Sequence, residues 1–265
     1  MTSRGLAYPE WTVVHLPHDA TRIPAAAREQ IVLDDAELER EVVRMTDHRT
    51  REIFLAGAPT PVYVRAEVSR LVVDVERFED DALESMAARG MGVIYTRDSH
   101  GRPLRRVPTE AERRELLDAH YRPHHARLTE AVDRALERHG RCLVLDGHSF
   151  PSIALPYEPQ KTARRPSICV GTDPDHTPVA LRDAFLGTFR DAGFDTELDT
   201  PFAGALVPMK HYRRDTRVSA IMVEVNRGLY LDEATAEPRS TFDETAARID
   251  KLNAALGYTE RSAAE

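Results

Sequence analysis

Residues 142–150 read CLVLDGHSF. The first four, Cys142-Leu143-Val144-Leu145, form a short apolar run without polar alternation, the pattern of a strand buried on both faces. The run then breaks into Asp146-Gly147-His148-Ser149-Phe150. A buried strand that ends in ionisable groups is how α/β enzymes present chemistry at the carboxyl edge of a sheet. Two other stretches have the same form. Trp11–Leu16 runs into Pro17-His18-Asp19, and Val218–Val225 carries Glu224 near its end, with Asn226 and Arg227 following. Ala66–Val75, Gly92–Thr96 and Ser167–Gly171 also read as buried strands, from their β-branched and apolar content.

Helical patterns lie between these runs. Asp35–Leu55 opens with acidic residues and has spaced apolar positions, and Asp80–Arg89 stops before Gly90, a residue suited to a helix C-cap. Thr109–His139 begins with Thr109 and Glu112 in capping-box spacing and ends at Gly140; Pro123 should kink or split it. Thr177–Ala192 and Ser240–Leu256 complete the set, and the last residues, Arg261–Glu265, should be frayed. Strands alternating with helices predict an α/β fold, three layers deep, with a mixed, mostly parallel central sheet. The 265 residues suit one large domain, 1–265, better than two small ones. The loops Asp146–Thr162 and Thr200–Arg217 are the candidates for carrying function.

The formal charge of −8 gives no reason to expect nucleic acid or an anionic membrane as partner. The basic clusters Arg102–Arg106, Arg164–Arg165 and Arg213–Arg214 are short and read as solvated loops. No apolar stretch approaches the roughly 20 residues that span a bilayer. The opening residues MTSRGLAYPEW hold no apolar core of a signal peptide, so a cytoplasmic protein is expected. Cys142 and Cys169 both sit in strand-like runs and read as buried free thiols. The sequence carries no reading of oligomeric state.

Two histidines and a carboxylate, with a fourth position for water, are what a catalytic zinc ion requires, and a further carboxylate can then serve as general base. Taken singly the signals are weak. There is no His-Glu-x-x-His helix, no Cys-x-x-Cys pair, no Gly-x-Ser-x-Gly around Ser149 and no glycine-rich phosphate loop, so no nucleotide cofactor is expected. From the residues alone the chain is an α/β hydrolase whose dependence on metal stays open. His124 and His125 are adjacent on a helix and cannot chelate together; a partly exposed helical position is the favoured reading for them, with one of the two lining the site as the alternative.

Several motifs in order resemble the N-formylglutamate amidohydrolase family. They are LPHDATRIP at 16–24, MTDH at 45–48, SRLVVDVER at 69–77, LDGHSF at 145–150, CVGTD at 169–173, PFAG at 201–204 with His211-Tyr212, and VEVNRGLY at 223–230. The resemblance implies a zinc carboxypeptidase-like fold and a Zn2+-dependent amidohydrolase. It would cleave the amide of a small, carboxylate-bearing N-acyl amino acid such as N-formylglutamate. Alternatives are a zinc peptidase or deacylase on another amino-acid or peptide derivative, and a non-catalytic relative that binds a small ligand.

The resemblance also implies roles. His18 and His148 would be metal ligands, with Asp47 as the third and Asp19 as its rival. Glu224 would be the general base and Arg70 would hold the oxyanion. Arg77 would bind a substrate carboxylate, with Asn226, Arg227 and Tyr212 also on the substrate. Asp74 would support an arginine, and Asp146 would orient His148. The chain departs from the family where Glu76 stands in place of an asparagine, and where no glycine follows Tyr212. Both departures fall in substrate-recognition territory.

Overall fold

The computed structural model describes residues 8–56, 61–158 and 164–251. Its strands are β1 Thr12–Leu16, β2 Val62–Arg65, β3 Cys142–Phe150, β4 Ile168–Gly171, β5 Thr196–Leu198 and β6 Val218–Asn226. They form one mixed sheet in the order β2-β1-β3-β6-β4-β5. Every neighbouring pair is parallel except β4 with β6. The long strand β3 lies between β1 and β6 and is buried along its whole length.

Because side chains alternate across a strand and parallel partners share a face, the register fixes what each face carries. One face holds Val14, Leu16, Leu143, Leu145, Ile221, Val223 and Val225, an apolar surface covered by Phe54, Phe185, Phe189 and Ile249, with Thr12 and Ser219 at one end and Ser149 at the other. These belong to α3 Thr50–Phe54, α6 Val179–Asp191 and α7 Phe242–Ile249. The opposite face is divided along its length. Val13, Cys142, Val144, Val218 and Ala220 are apolar and pack on Leu128, Ala131, Val132 and Ala135 of α5, Arg122–His139. Further along the same strands come His15, Asp146, His148 and Glu224. Each fully buried aliphatic side chain contributes roughly 1.5–3 kcal/mol, so the apolar halves anchor the strands whose polar ends form the site. Gly147 lies on the apolar face; a Cβ there would meet Phe54 Cδ2 at 2.8 Å and Leu16 Cδ2 at 3.0 Å.

The three-layer α/β architecture agrees with the sequence, while several elements differ. Ala66–Val75 and Gly92–Thr96 are buried but irregular. Their backbones bond to one another and to other loop segments, as in Asp74 N to Val93 O and Ser69 N to Arg22 O, instead of joining the sheet. The strand of that region is β2, an edge strand with Val62 and Tyr63 exposed, which masks its apolar signal. β5 is only three residues long. Asp35–Leu55 is two helices, α2 Asp35–Met45 and α3, and Asp34 caps the first through a capping box with Glu37. Of Asp80–Arg89 only a short 3-10 turn at Ser85–Arg89 is helical.

The Thr109–Glu112 capping box is present at the start of α4, Glu110–Leu116. A π turn at Leu117–Tyr121 joins α4 to α5 within one continuous helical run, so the irregularity expected at Pro123 takes the form of a π turn just before it. A short helix, α1 Ala25–Arg28, precedes α2. Cys142 and Cys169 are buried and free, and burial pushes both thiols up to about 12. No helix among the described residues is long and apolar enough to cross a membrane. The expected helix end at 252–256 and the frayed tail at 261–265 lie outside the described residues.

Candidate functional site

His18 follows β1, His148 sits near the end of β3, and Glu224 is its register partner on β6. Asp47 occupies the break between α2 and α3, where its backbone N–H donates to His18 O at 2.9 Å. Asp74 and Glu76 belong to the buried irregular segment, and the Glu76 N–H donates to Asp74 Oδ1 at 3.0 Å. The site is therefore assembled at the carboxyl end of three central parallel strands, with two loops closing over it.

The two imidazole rings lie 5.1 Å apart, centroid to centroid. Each turns its Nε2 to a carboxylate of its own, and the pair shares Asp47 and Glu76 as neighbours. His18 Nε2 donates to Asp74 Oδ1 at 2.8 Å, and His148 Nε2 donates to Asp146 Oδ1 at 3.1 Å. On the other edge, Asp47 Oδ2 lies 3.2 Å from His148 Nδ1 and 3.7 Å from His18 Nδ1. Glu76 adds a carboxylate on the Nε2 side, 2.9 Å from His148 and 3.6 Å from His18. Ligand atoms of His18, Glu76 and His148 all fall within 4.8 Å of one another, a group that could hold a metal ion. Two carboxylates thus flank the imidazole pair from opposite edges, Asp47 and Glu76, while Asp19 pairs with Arg65 at 3.2 Å.

These groups carry strong mutual fields. Burial alone would raise Asp47, but His148, His18 and Arg227 hold it well below the usual carboxylate range. Burial opposes charge on Asp74 and Asp146 as well, and Arg70 and the two imidazoles respectively outweigh it. Burial would depress His148, yet Glu76 and Asp146 raise it well above its ordinary value. Glu224 is the exception among the acids: burial pushes it up to about 8. Two buried polar atoms at the centre have no hydrogen-bond partner, His18 Nδ1 and Glu224 Oε2. The acids Asp47, Asp74, Glu76, Asp146 and Glu224 outnumber the guanidinium groups of Arg70, Arg77 and Arg227. With His18 and His148 raised and Glu224 pushed up to about 8, the cluster offsets its carboxylates with protons that a bound divalent cation would displace.

The cluster opens into a cavity of about 510 Å³. Arg44, Arg70, Arg77 and Arg227 reach its wall, as do Phe150, Phe202, Met209 and Tyr212. Arg70 donates to Asp74 Oδ2 at 2.8 Å and to the Tyr95 hydroxyl at 3.1 Å, and Tyr95 in turn donates to Asp74. Arg77 makes a long contact of 3.7 Å to Asp74, and its buried Nε has no partner. Arg227 is differently placed. It donates to Asp47 Oδ1 at 2.7 Å, Ser149 Oγ at 3.0 Å and Arg44 O at 2.6 Å, so its guanidinium ties three segments together. Asn226 bonds Pro166 O and Gly228 N and is absent from the cavity wall. Tyr212 lines the cavity and stacks on His176.

Other residues of the site escaped the sequence reading. His124 is 1% exposed, not a partly exposed helical residue, and its Nε2 lies 2.9 Å from His15 Nε2. His125 reaches the cavity wall and bonds Val75 O. His15 donates to Asp146 at 2.8 Å. The available signal was a histidine inside the apolar run Trp11–Leu16, two positions from Val13 and so on the same face. Tyr157 also lines the cavity, close enough to Arg70, Arg77 and Arg227 to feel their charge. Two arginines read as solvated are buried. Arg165 pairs with Glu158 at 2.8 Å and lies over Phe150 and Phe202, and Arg105 donates to Leu71 O.

The model of one protein family, N-formylglutamate amidohydrolase, matches residues 11–231. A Pseudomonas putida protein named N-formylglutamate deformylase is 27% identical over 229 residues, covering 83% of this chain and 82% of its own length. Among solved structures, the fold resembles an N-formylglutamate amidohydrolase from Ralstonia eutropha JMP134, with TM-score 0.81 and 22% identity, covering 97% of this chain and 96% of the other. A gene product of Agrobacterium tumefaciens has TM-score 0.67 and 20% identity, covering 97% and 93%. At these identities the two structures speak for the fold.

Proposed function

The chain belongs to the N-formylglutamate amidohydrolase family, hydrolases of amide bonds, and on that premise we propose that it is a zinc-dependent amidohydrolase of small N-acyl amino acids such as N-formylglutamate. The observation that carries this reading is that one site keeps two buried polar atoms without a hydrogen-bond partner, His18 Nδ1 and Glu224 Oε2. A buried polar atom without a partner is costly, and a metal ion with its water would satisfy both. Both Nε2 atoms are committed to carboxylates, and Asp47 Oδ2 faces both Nδ1 atoms, so a bound ion would replace the protons on that edge. His18 and His148 through Nδ1, and Asp47 through Oδ2, would hold the ion, and Arg227 would keep Asp47 oriented through its other oxygen. Glu76, on the far edge, would be a neighbour of the rings rather than a ligand.

Bound zinc supplies Lewis acidity, lowering the pKa of water toward ~7 and polarising a carbonyl. The rest falls to the chain. Glu224 Oε2 takes the proton from the attacking water, whose oxygen bonds to the acyl carbon. Arg70, held by Asp74 and Tyr95, faces the carbonyl oxygen as negative charge develops there. Glu224 then returns the proton to the leaving nitrogen as the C–N bond breaks, giving a carboxylic acid and a free amine. Arg77 binds a substrate carboxylate, a task that suits a planar guanidinium without a close partner. The cavity's size and its Phe150, Phe202 and Met209 favour a wider range of acyl or peptide derivatives as the second reading.

The test is zinc content by elemental analysis together with a hydrolysis screen of N-formyl, N-acetyl and longer N-acyl amino acids. One equivalent of zinc, with turnover lost on chelation and restored by zinc, is expected. A folded protein that binds no divalent metal and hydrolyses none of these compounds would overturn the proposal in favour of a ligand-binding relative.

A further inference from the structure

Behind His148 runs a buried hydrogen-bonded chain that the mechanism above does not use. His124 Nε2 lies 2.9 Å from His15 Nε2, His15 Nδ1 is 2.8 Å from Asp146 Oδ1, and the same oxygen is 3.1 Å from His148 Nε2. All four side chains are at most 2% exposed. They come from three elements: His15 from β1, Asp146 and His148 from β3, and His124 from the first turn of α5. The other oxygen, Asp146 Oδ2, accepts the Leu206 N–H at 3.0 Å, from the loop that lines the cavity.

We infer that His15 and His124 are positioning residues, which fix the tautomer and aim of His148 by holding Asp146. The inference rests on the assignment of His148 as a metal ligand. The argument is one of donors and acceptors. An ionised carboxylate only accepts, so His15 must carry its proton on Nδ1 and His148 on Nε2. His148 Nδ1, the other ring nitrogen, is hydrogen-bonded to Asp47 Oδ2 at 3.2 Å, and there a metal ion would take the place of the proton. His15 Nε2 is held in turn by His124 Nε2 at 2.9 Å. Three donors therefore pin Asp146: His15, His148 and Leu206 N. Remove His15 and Oδ1 keeps only the histidine it is meant to orient, so the carboxylate is free to rotate about its own χ2 and let the ring follow. Groups that orient a metal-bound imidazole in this way commonly matter by 10–100-fold in metal affinity.

A merely space-filling histidine would behave differently under conservative replacement. The amide N–H of asparagine can occupy the position of a histidine Nδ1–H, whereas leucine cannot donate. His15→Asn and His15→Leu are therefore compared, with His124→Leu as a variant outside the β1–β3 ladder. The readout is zinc affinity, measured by competition with a chromophoric chelator, alongside thermal unfolding of each zinc-free protein. His15→Leu should weaken zinc binding by about 10–100-fold. His15→Asn should recover most of that loss at matched zinc-free stability, and His124→Leu should fall between. Equal zinc affinity in His15→Leu and His15→Asn, whether both wild-type-like or both weak, overturns the inference, as does a wild-type affinity in His124→Leu if His15→Leu does not fold. A wild-type protein that binds no zinc overturns the metal assignment itself, a separate result.

Discussion

His148 and Glu224 are register partners on adjacent parallel strands, β3 and β6, and both side chains rise from the same face of the sheet. Two backbones locked by a ladder thus set the distance between a candidate ligand and a candidate base, without help from a loop. Glu224→Gln should therefore leave the ladder and zinc binding intact while turnover falls by ~10²–10⁴-fold, the usual cost of losing a general base. Steady-state kinetics and zinc titration of the one variant check this. Loss of zinc together with turnover would make Glu224 a ligand instead.

The same residue should leave a mark on stability when no metal is bound. Burial pushes Glu224 from 4.5 up to about 8. The folded chain then binds more protons than the unfolded chain between these two values, so folded stability drops as pH rises through that window. Glutamine cannot ionise. In chelator-treated protein, Glu224→Gln should match wild type near pH 4 and exceed it at pH 8.5, by 2–4 °C or more in Tm, which corresponds to ~1 kcal/mol at this chain length. Identical Tm values across the whole range would show that Glu224 is not held in an uncharged state.

Asp47 and Glu76 can be separated by metal affinity. Asp47→Asn should weaken zinc by at least about 100-fold, beyond the range of outer partners, and should also lower stability, since Arg227 loses its carboxylate in a buried pair. Glu76→Gln should weaken zinc less than Asp47→Asn, by no more than the about 10–100-fold of an outer partner, because it removes no ligand on the Nδ1 edge. The reverse pattern in the folded variants would place the ion on the Nε2 edge, among His18, Glu76 and His148.

Substrate recognition should depend on Arg77 and little on its neighbour. Glu76 turns toward the imidazoles, and among the described residues no ion pair joins it to Arg77. Arg77→Lys should raise KM for a carboxylate-bearing N-acyl amino acid about tenfold, ~1.4 kcal/mol, with kcat less affected, because lysine loses the bidentate geometry. Glu76→Asn should change kcat/KM on N-formylglutamate less than threefold. A rise of an order of magnitude would mean that Glu76 diverts the enzyme from that substrate.

Much of this was legible because strand ends announce themselves. His18, His148 and Glu224 each follow or close a dense apolar run, and the layered α/β fold follows from the alternation of such runs with helices. What stayed hidden depends on contacts between distant segments. Arg227 looks like a substrate-facing cation until its bonds to Asp47, Ser149 and Arg44 are seen. Ala66–Val75 has the composition of a strand, yet its polar members Ser69, Arg70 and Asp74 bond inward, and burial without a ladder cannot be told from burial within one by composition. His15 was concealed by its apolar neighbours, and His124 by a helix with many exposed charges.

The division of β3 into an apolar half and a polar half on one face has a consequence for how this chain can change length. Asp146 and His148 reach the site only because an even offset in sequence relates them to Cys142 and Val144, which face α5. One residue inserted between Cys142 and Leu145, with the N-terminal pairing kept, would turn Asp146 and His148 toward Phe54 and bring Gly147 and Ser149 to the cavity side. Point substitutions can be absorbed one position at a time. An odd-numbered indel in this strand cannot, since it exchanges the inside of the protein with its reactive centre in a single step. Length variation among functional descendants of this sequence is thereby directed to the loops beyond the strand ends, where parity has no meaning.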